Sequence, residues 1–167
     1  QLITKEKKVT LPSGETTLRS DPENDILKIV VVNRYSHAKP AVAFVQNFGL
    51  KQGAIASTVA HDSHNIIAVG VDDADMLRAI NTLMESKGGV CLSDGDRLMN
   101  LDLPVAGLMS AQDGYQVAEA YDAIDKGAKE LGSTLASPFM TLSFCALLVI
   151  PELKLSDKGL FDGNRFE

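Results

Sequence analysis

The run Ile26-Leu27-Lys28-Ile29-Val30-Val31-Val32 constrains this chain more than any other. β-Branched side chains are stiff at χ1 and pack well on a pleated surface, so such a run reads as a strand in the middle of a sheet. A turn cluster, Asp21-Pro22-Glu23-Asn24-Asp25, precedes it, and a polar loop from Asn33 to Pro40 follows. Ala41-Val42-Ala43-Phe44-Val45 and Ile66-Ile67-Ala68-Val69-Gly70 read as further strands. The small apolar segment from Gly53 to Ala60 reads as a close-packed strand, because it is short and glycine-flanked.

Helical periodicity begins after Ile66–Gly70. Asp72 or Asp73 caps a helix carrying Ala74, Leu77, Ile80, Leu83 and Met84 at helical spacing, and Gly88-Gly89 ends it. Asp94-Gly95 between two apolar segments marks a hairpin. Asp113 caps a second helix, with Val117, Ala120, Tyr121, Ile124, Ala128 and Leu131 on its apolar face and Gly132 as its stop. Ser137-Pro138 opens a short third helix, with proline at the first helical position. Phe139 to Ile150 is almost wholly apolar and is expected to be buried, and the segment from Pro151 to Glu167 reads as a loop-rich tail in which Phe161 and Phe166 serve as anchors. Two short strands are expected around Pro12-Ser13-Gly14.

This order predicts a single α/β (α+β) domain, a mixed β-sheet layered with about three helices. Residues 1–25 are expected to be N-terminal strands or a linker, and 26–167 the domain proper. A chain of 167 residues suffices for one core without staples. The net charge of -6 argues against a nucleic-acid scaffold, since phosphate binding needs clustered Lys and Arg, and the only dense basic run is Lys5-Glu6-Lys7-Lys8. No apolar stretch reaches the roughly 18 residues that span a membrane. Gln1-Leu2-Ile3-Thr4 lacks a charged stretch followed by a long apolar run and is not expected to be a signal peptide. Cys91 and Cys145 each lie in an apolar stretch and are expected to be reduced and buried, which fits a cytoplasmic setting. The first residue, Gln1, is read as the start of a piece of something longer.

The candidate chemistry lies in loops. His61-Asp62-Ser63-His64-Asn65 places five hydrogen-bonding side chains in a row between two strands, where a sheet presents polar groups to a cleft. The alternative is a polar turn in which Asp62 and Asn65 satisfy backbone amides. A metal site is the weaker reading, because His61, Asp62 and His64 lack a further ligand nearby except His37. Arg34, in Asn33-Arg34-Tyr35-Ser36-His37, can clamp an anion or a carboxylate, or form a structural salt bridge. Thr141 and Ser143 lie in an apolar segment; their hydroxyls either face a ligand or bond back to helix carbonyls. Phe139, Met140 and Phe144 either offer a flat apolar surface to a planar base or pack in the core. There is no GxSxG, P-loop, GxGxxG, HExxH or HxH motif.

Four blocks carry a resemblance: Gly53 through Asn65, Leu103-Pro104-Val105-Ala106-Gly107-Leu108-Met109-Ser110, Pro138 through Phe144, and Ile150 through Leu160. In this order they resemble the C-terminal domain of microbial adenine deaminase, of the metal-dependent amidohydrolase superfamily. The resemblance implies a hydrolase of purine salvage that turns adenine and water into hypoxanthine and ammonia through a metal-bound hydroxide. It implies a divalent transition metal, manganese or iron, held in an N-terminal (β/α)₈ barrel of the same polypeptide, with no metal in this segment and little activity from it alone. Its expected partners are that barrel, adenine and a second copy in a homo-oligomer, with neither nucleic acid nor membrane. His61, Asp62, Ser63, His64 and Asn65, together with Phe139, Met140 and Ser143, are then expected to line the purine site. The alternatives are a non-catalytic docking or oligomerisation domain, and a free-standing small-ligand-binding α/β protein.

Overall fold

The computed structural model describes residues 3–9, 11, 14 and 16–167. The turn expected at Pro12-Ser13 lies outside the described residues, and 3–9 and 16–20 on either side carry no strand.

The described residues form eight strands and three helices: β1 (Ile26–Val32), β2 (Ala41–Gln46), β3 (Ala54–Ser57), β4 (Ile66–Gly70), α1 (Asp73–Glu85), β5 (Gly89–Asp94), β6 (Arg97–Asp102), α2 (Gly114–Glu130), α3 (Pro138–Phe144), β7 (Leu153–Ser156) and β8 (Gly159–Asp162). The first six strands make one sheet in the order β2-β1-β4-β3-β5-β6, and β7 and β8 make a separate ribbon. The α+β class and the three helices are as expected. The sheet is more uniform than a mixed one, because every ladder is antiparallel. The reason is topological. The β4–α1–β5 connection makes β4 and β5 run the same way, as a crossover helix usually does, but β3 is inserted between them and pairs antiparallel with both.

Both faces of the sheet are covered, and residue parity along each strand divides the core in two. Leu27, Ile29, Val31, Ile55, Ile67 and Val69 pack with Ile124 and Ala128 of α2 and with Phe139 and Leu142 of α3. Val30, Val32, Ala54, Ala56 and Ala68 pack with Met76, Ala79, Ile80 and Leu83 of α1. Strands buried on both faces read as continuous apolar runs rather than alternating ones, which is why Ile26–Val32 is so uniformly branched. Asp72 caps α1 by accepting from the amides of Ala74 and Asp75, and Asp113 caps α2 by accepting from Tyr115.

The tail departs from the expectation. The segment from Pro151 onward contains the β7–β8 hairpin rather than loop alone, turning at Asp157-Lys158. Phe161 and Phe166 stack edge-to-face at 5.8 Å, but Phe166 stays exposed. Lys154 is buried, its Nζ donating to the carbonyls of Glu152 and Leu153. Nor is the stretch from Phe139 to Ile150 fully interior: Met140, Phe144 and Val149 reach the surface.

Candidate functional site

The end of β1, the start of β4, the end of β3 and the start of β5 lie at one edge of the sheet, as their registers require. The loops 33–40, 58–65, 86–88 and 103–108 therefore gather there. Polar groups concentrate at this edge because the strands below it are filled with apolar side chains.

The loop 61–65 is bound to its neighbours. Asn65 is buried, and its Oδ1 accepts the backbone N–H of Arg34 at 3.3 Å. The Tyr35 hydroxyl donates to the Ser63 carbonyl at 2.9 Å. The His64 amide donates to the Ala60 carbonyl at 2.7 Å, with the His64 backbone at φ 52°. Asp62 and Ser63 are exposed, and His61 and His64 are half-buried. The two imidazoles meet edge-on with centroids 5.9 Å apart, and the His61 ring lies 5.6 Å from the ring of Phe144. His64 Nδ1 is buried and has no hydrogen-bond partner. Burial first, then the neighbouring His61 and Arg34, hold the His64 imidazole below its ordinary pKa, with Asp62 pulling the other way. A neutral imidazole with a free nitrogen is a ready acceptor or donor for an uncharged heterocycle.

The expected site residues do not all converge. His61, His64 and Asn65 sit together at the sheet edge, and half-exposed Met140 lies on α3, the helix that brings Phe144 to His61. Phe139 instead turns into the core, 6.2 Å from the Tyr121 ring. Ser143 is buried and returns its hydroxyl to the Met140 carbonyl at 2.7 Å, as short polar side chains in helices commonly do. Both are parts of the α3 packing rather than of a cleft wall.

Three contributors were not singled out from the sequence. Tyr35 closes the loop on Ser63. Thr58 is wholly buried, and its Oγ1 accepts the Gly89 amide at 2.9 Å and donates to the Gly107 carbonyl at 2.6 Å. Gly107, at φ 75°, presses its Cα face on the Arg34 guanidinium, where a Cβ has no room. The small residues of the block Leu103–Ser110 carried this signal, but a close backbone approach cannot be read without the partner.

Arg34 crosses this edge. Its Nη2 donates to the Ala106 carbonyl, and its Cζ stands 5.0 Å over the Tyr35 ring. On the α1 side of the sheet, a cleft of about 630 Å³ opens between Arg34, His37, Lys87 and Pro104, floored by Thr58 and Leu83.

Among the described residues no three His, Cys, Asp or Glu side chains come together as a metal-binding group. His61 and His64 are two nitrogen donors without a third, so these residues do not fit a metal centre of their own. Among the described residues no helix is long and apolar enough to cross a membrane.

The model of the adenine deaminase C-terminal domain matches residues 1–167. The chain is 57% identical to an adenine deaminase of Sulfurovum sp. over 99% of its own length and 30% of that protein's. It is 57% identical to one of Methanosarcina acetivorans over 89% of its length and 27% of the relative's. It is 49% identical to one of Methanothermobacter thermautotrophicus over its whole length and 31% of the relative's. It thus spans about 30% of the length of the curated relatives it matches. With its full length covered by the model, the chain belongs to the adenine deaminase C-terminal domain family.

Proposed function

We propose that this domain completes an adenine deaminase whose reaction, adenine plus water giving hypoxanthine plus ammonia, is run by a metal-bearing amidohydrolase barrel elsewhere in the same polypeptide. The observation that carries this reading is the match of the whole chain to the C-terminal domain of enzymes more than three times its length. The metal, manganese or iron, belongs to the barrel in this reading, and the enzyme works in the cytoplasm in purine salvage.

The share of this domain is the loop 61–65. His64 brings a buried, unpartnered nitrogen, and His61 and Phe144 bring aromatic surface suited to a planar purine. Asn65 holds the loop through its bond to Arg34. Met140 extends the same surface, and the exposure of Asp62 and Ser63 suits contact with the barrel in this reading. The test is kcat/KM for adenine in the full-length enzyme. His64→Ala and His61→Ala are each expected to lower it at least about tenfold, the effect of losing one polar or stacking contact to substrate. Unchanged kcat/KM in both variants would sink this role.

A second reading, a docking face without direct substrate contact, is favoured by the apolar surface at Met140, Phe144 and Val149. It predicts that Phe144→Ser loosens the domain from the barrel or breaks a homo-oligomer, with the His61 and His64 variants silent in kcat/KM.

A further inference from the structure

The cleft on the α1 side of the sheet is separate from the His61–Phe144 surface, which faces α3. The chain carries an excess of acid, 22 Asp and Glu against 16 Lys and Arg, yet no carboxylate lines this cleft, while Arg34, Lys87 and His37 do. The cation is also held in place. The Arg34 head is fixed by the Ala106 carbonyl, the face of Tyr35 and the bare Cα of Gly107, and its Nε is buried without a partner. Among the described residues no carboxylate lies within ion-pair distance of Arg34 or Lys87. Asp157, which accepts a hydrogen bond from Asn33 of this loop at 2.7 Å, is not part of the lining.

The C-terminus of α1 also points here and would oppose an anion. Its last carbonyls are already engaged: those of Thr82, Leu83 and Met84 accept the amides of Ser86, Gly88 and Lys87. Ile66, Leu83, Met84 and Pro104 give the cleft an apolar side, while Asn33, Ser36 and Thr58 add uncharged polar groups. The volume of about 630 Å³ is that of a small-molecule site.

We infer that this cleft binds a small organic oxyanion, a phosphate or carboxylate group on an apolar or aromatic body. The anion bridges Arg34 and Lys87, the body lies on Leu83, Met84 and Pro104, and Tyr35 flanks the entrance. Because Arg34 is bonded through its own amide to Asn65, an occupant touches the loop 61–65 from behind without entering the surface proposed for the purine.

The experiment is calorimetric titration of the full-length enzyme with phenyl phosphate, benzoate and inorganic phosphate. Saturable binding of one equivalent per chain is expected, weakening as salt rises, with phenyl phosphate tighter than inorganic phosphate. The phenyl phosphate and benzoate arms decide which headgroup the site takes. Lys87→Met, on an exposed side chain whose loss leaves the fold intact, and Arg34→Met are each expected to reduce affinity about tenfold, the effect of removing one charge-assisted contact. An anion bound at a metal elsewhere in the enzyme keeps its affinity in both variants. That result, or no saturable binding at all, overturns the inference. Unchanged turnover in the His61 and His64 variants does not bear on it, so the two proposals fail separately.

Discussion

The backbone amide of Arg34 donates to the side-chain oxygen of Asn65 across 31 positions of sequence, fastening the loop after β1 to the loop before β4. With Asn65 buried, replacing it by Leu leaves that amide unsatisfied. Asn65→Leu is expected to destabilise the domain by about 1–3 kcal/mol in urea unfolding, and Asn65→Asp, which keeps the acceptor, by less.

Gly107→Ala puts a methyl group where the Arg34 guanidinium lies and asks alanine to hold φ 75°. The backbone conformation alone costs about 1–2 kcal/mol, and Arg34 must leave its place on Ala106 as well. Anion affinity at the cleft is expected to fall together with Tm. Full retention of both would show that Arg34 has another equally good position.

Thr58→Val keeps shape and removes the hydroxyl that joins Gly89 to Gly107. Two buried backbone groups lose a partner, and a loss of about 2–4 kcal/mol in chemical unfolding is expected, near the sum of two such deficits. Thr58→Ser retains the bridge and recovers most of it.

The His64 imidazole is held below its ordinary value of 6.5, by burial above all. A base with a depressed folded-state pKa takes up protons more readily when unfolded, so stability falls as pH drops below about 6.5 and levels off below the folded-state value. His64→Gln is expected to flatten that part of the stability–pH curve. An unchanged slope would place the titration elsewhere.

Cys91 and Cys145 are both free and buried, and burial pushes each thiol up to about 12. The nucleophile is the thiolate, so neither is expected to react with a disulfide reagent at neutral pH until the protein is unfolded, when both do. Fast labelling of either in the native protein would contradict the packing of β5 or of the turn after α3.

Much of this architecture was legible because local and tertiary preferences agree. The branched run of β1, the caps Asp72 and Asp113, the Asp94-Gly95 turn and the Ser137-Pro138 start all appear where the residues place them. The antiparallel pairing was not legible, because nothing local tells β3 to enter between β4 and β5. The β7–β8 ribbon was missed because β7 buries the charged Lys154 next to the apolar Leu155, which hides the alternation that marks a strand. At the site, the polar run 61–65 was visible as five side chains. The division of α3 into interior Phe139 and Ser143 and outward Met140 and Phe144 depends on which face of a two-turn helix meets the sheet. A helix of seven residues is too short to declare that face by period.

The position of β3 has a consequence for synthesis. On the ribosome β3 and β4 emerge together, but the other edge of β3 finds its partner only after α1 and β5 follow, 33 to 39 residues later. Until then Ala54-Ile55-Ala56-Ser57, a short uncharged strand, shows an open row of backbone donors and acceptors, the template from which chains join edge to edge. Shortness and nearby charge are the usual devices against such pairing, and this four-residue strand, followed by a loop with Asp62, has both. The residues that face the proposed substrate surface in the finished molecule thus also stand guard over its most exposed edge while it is being made.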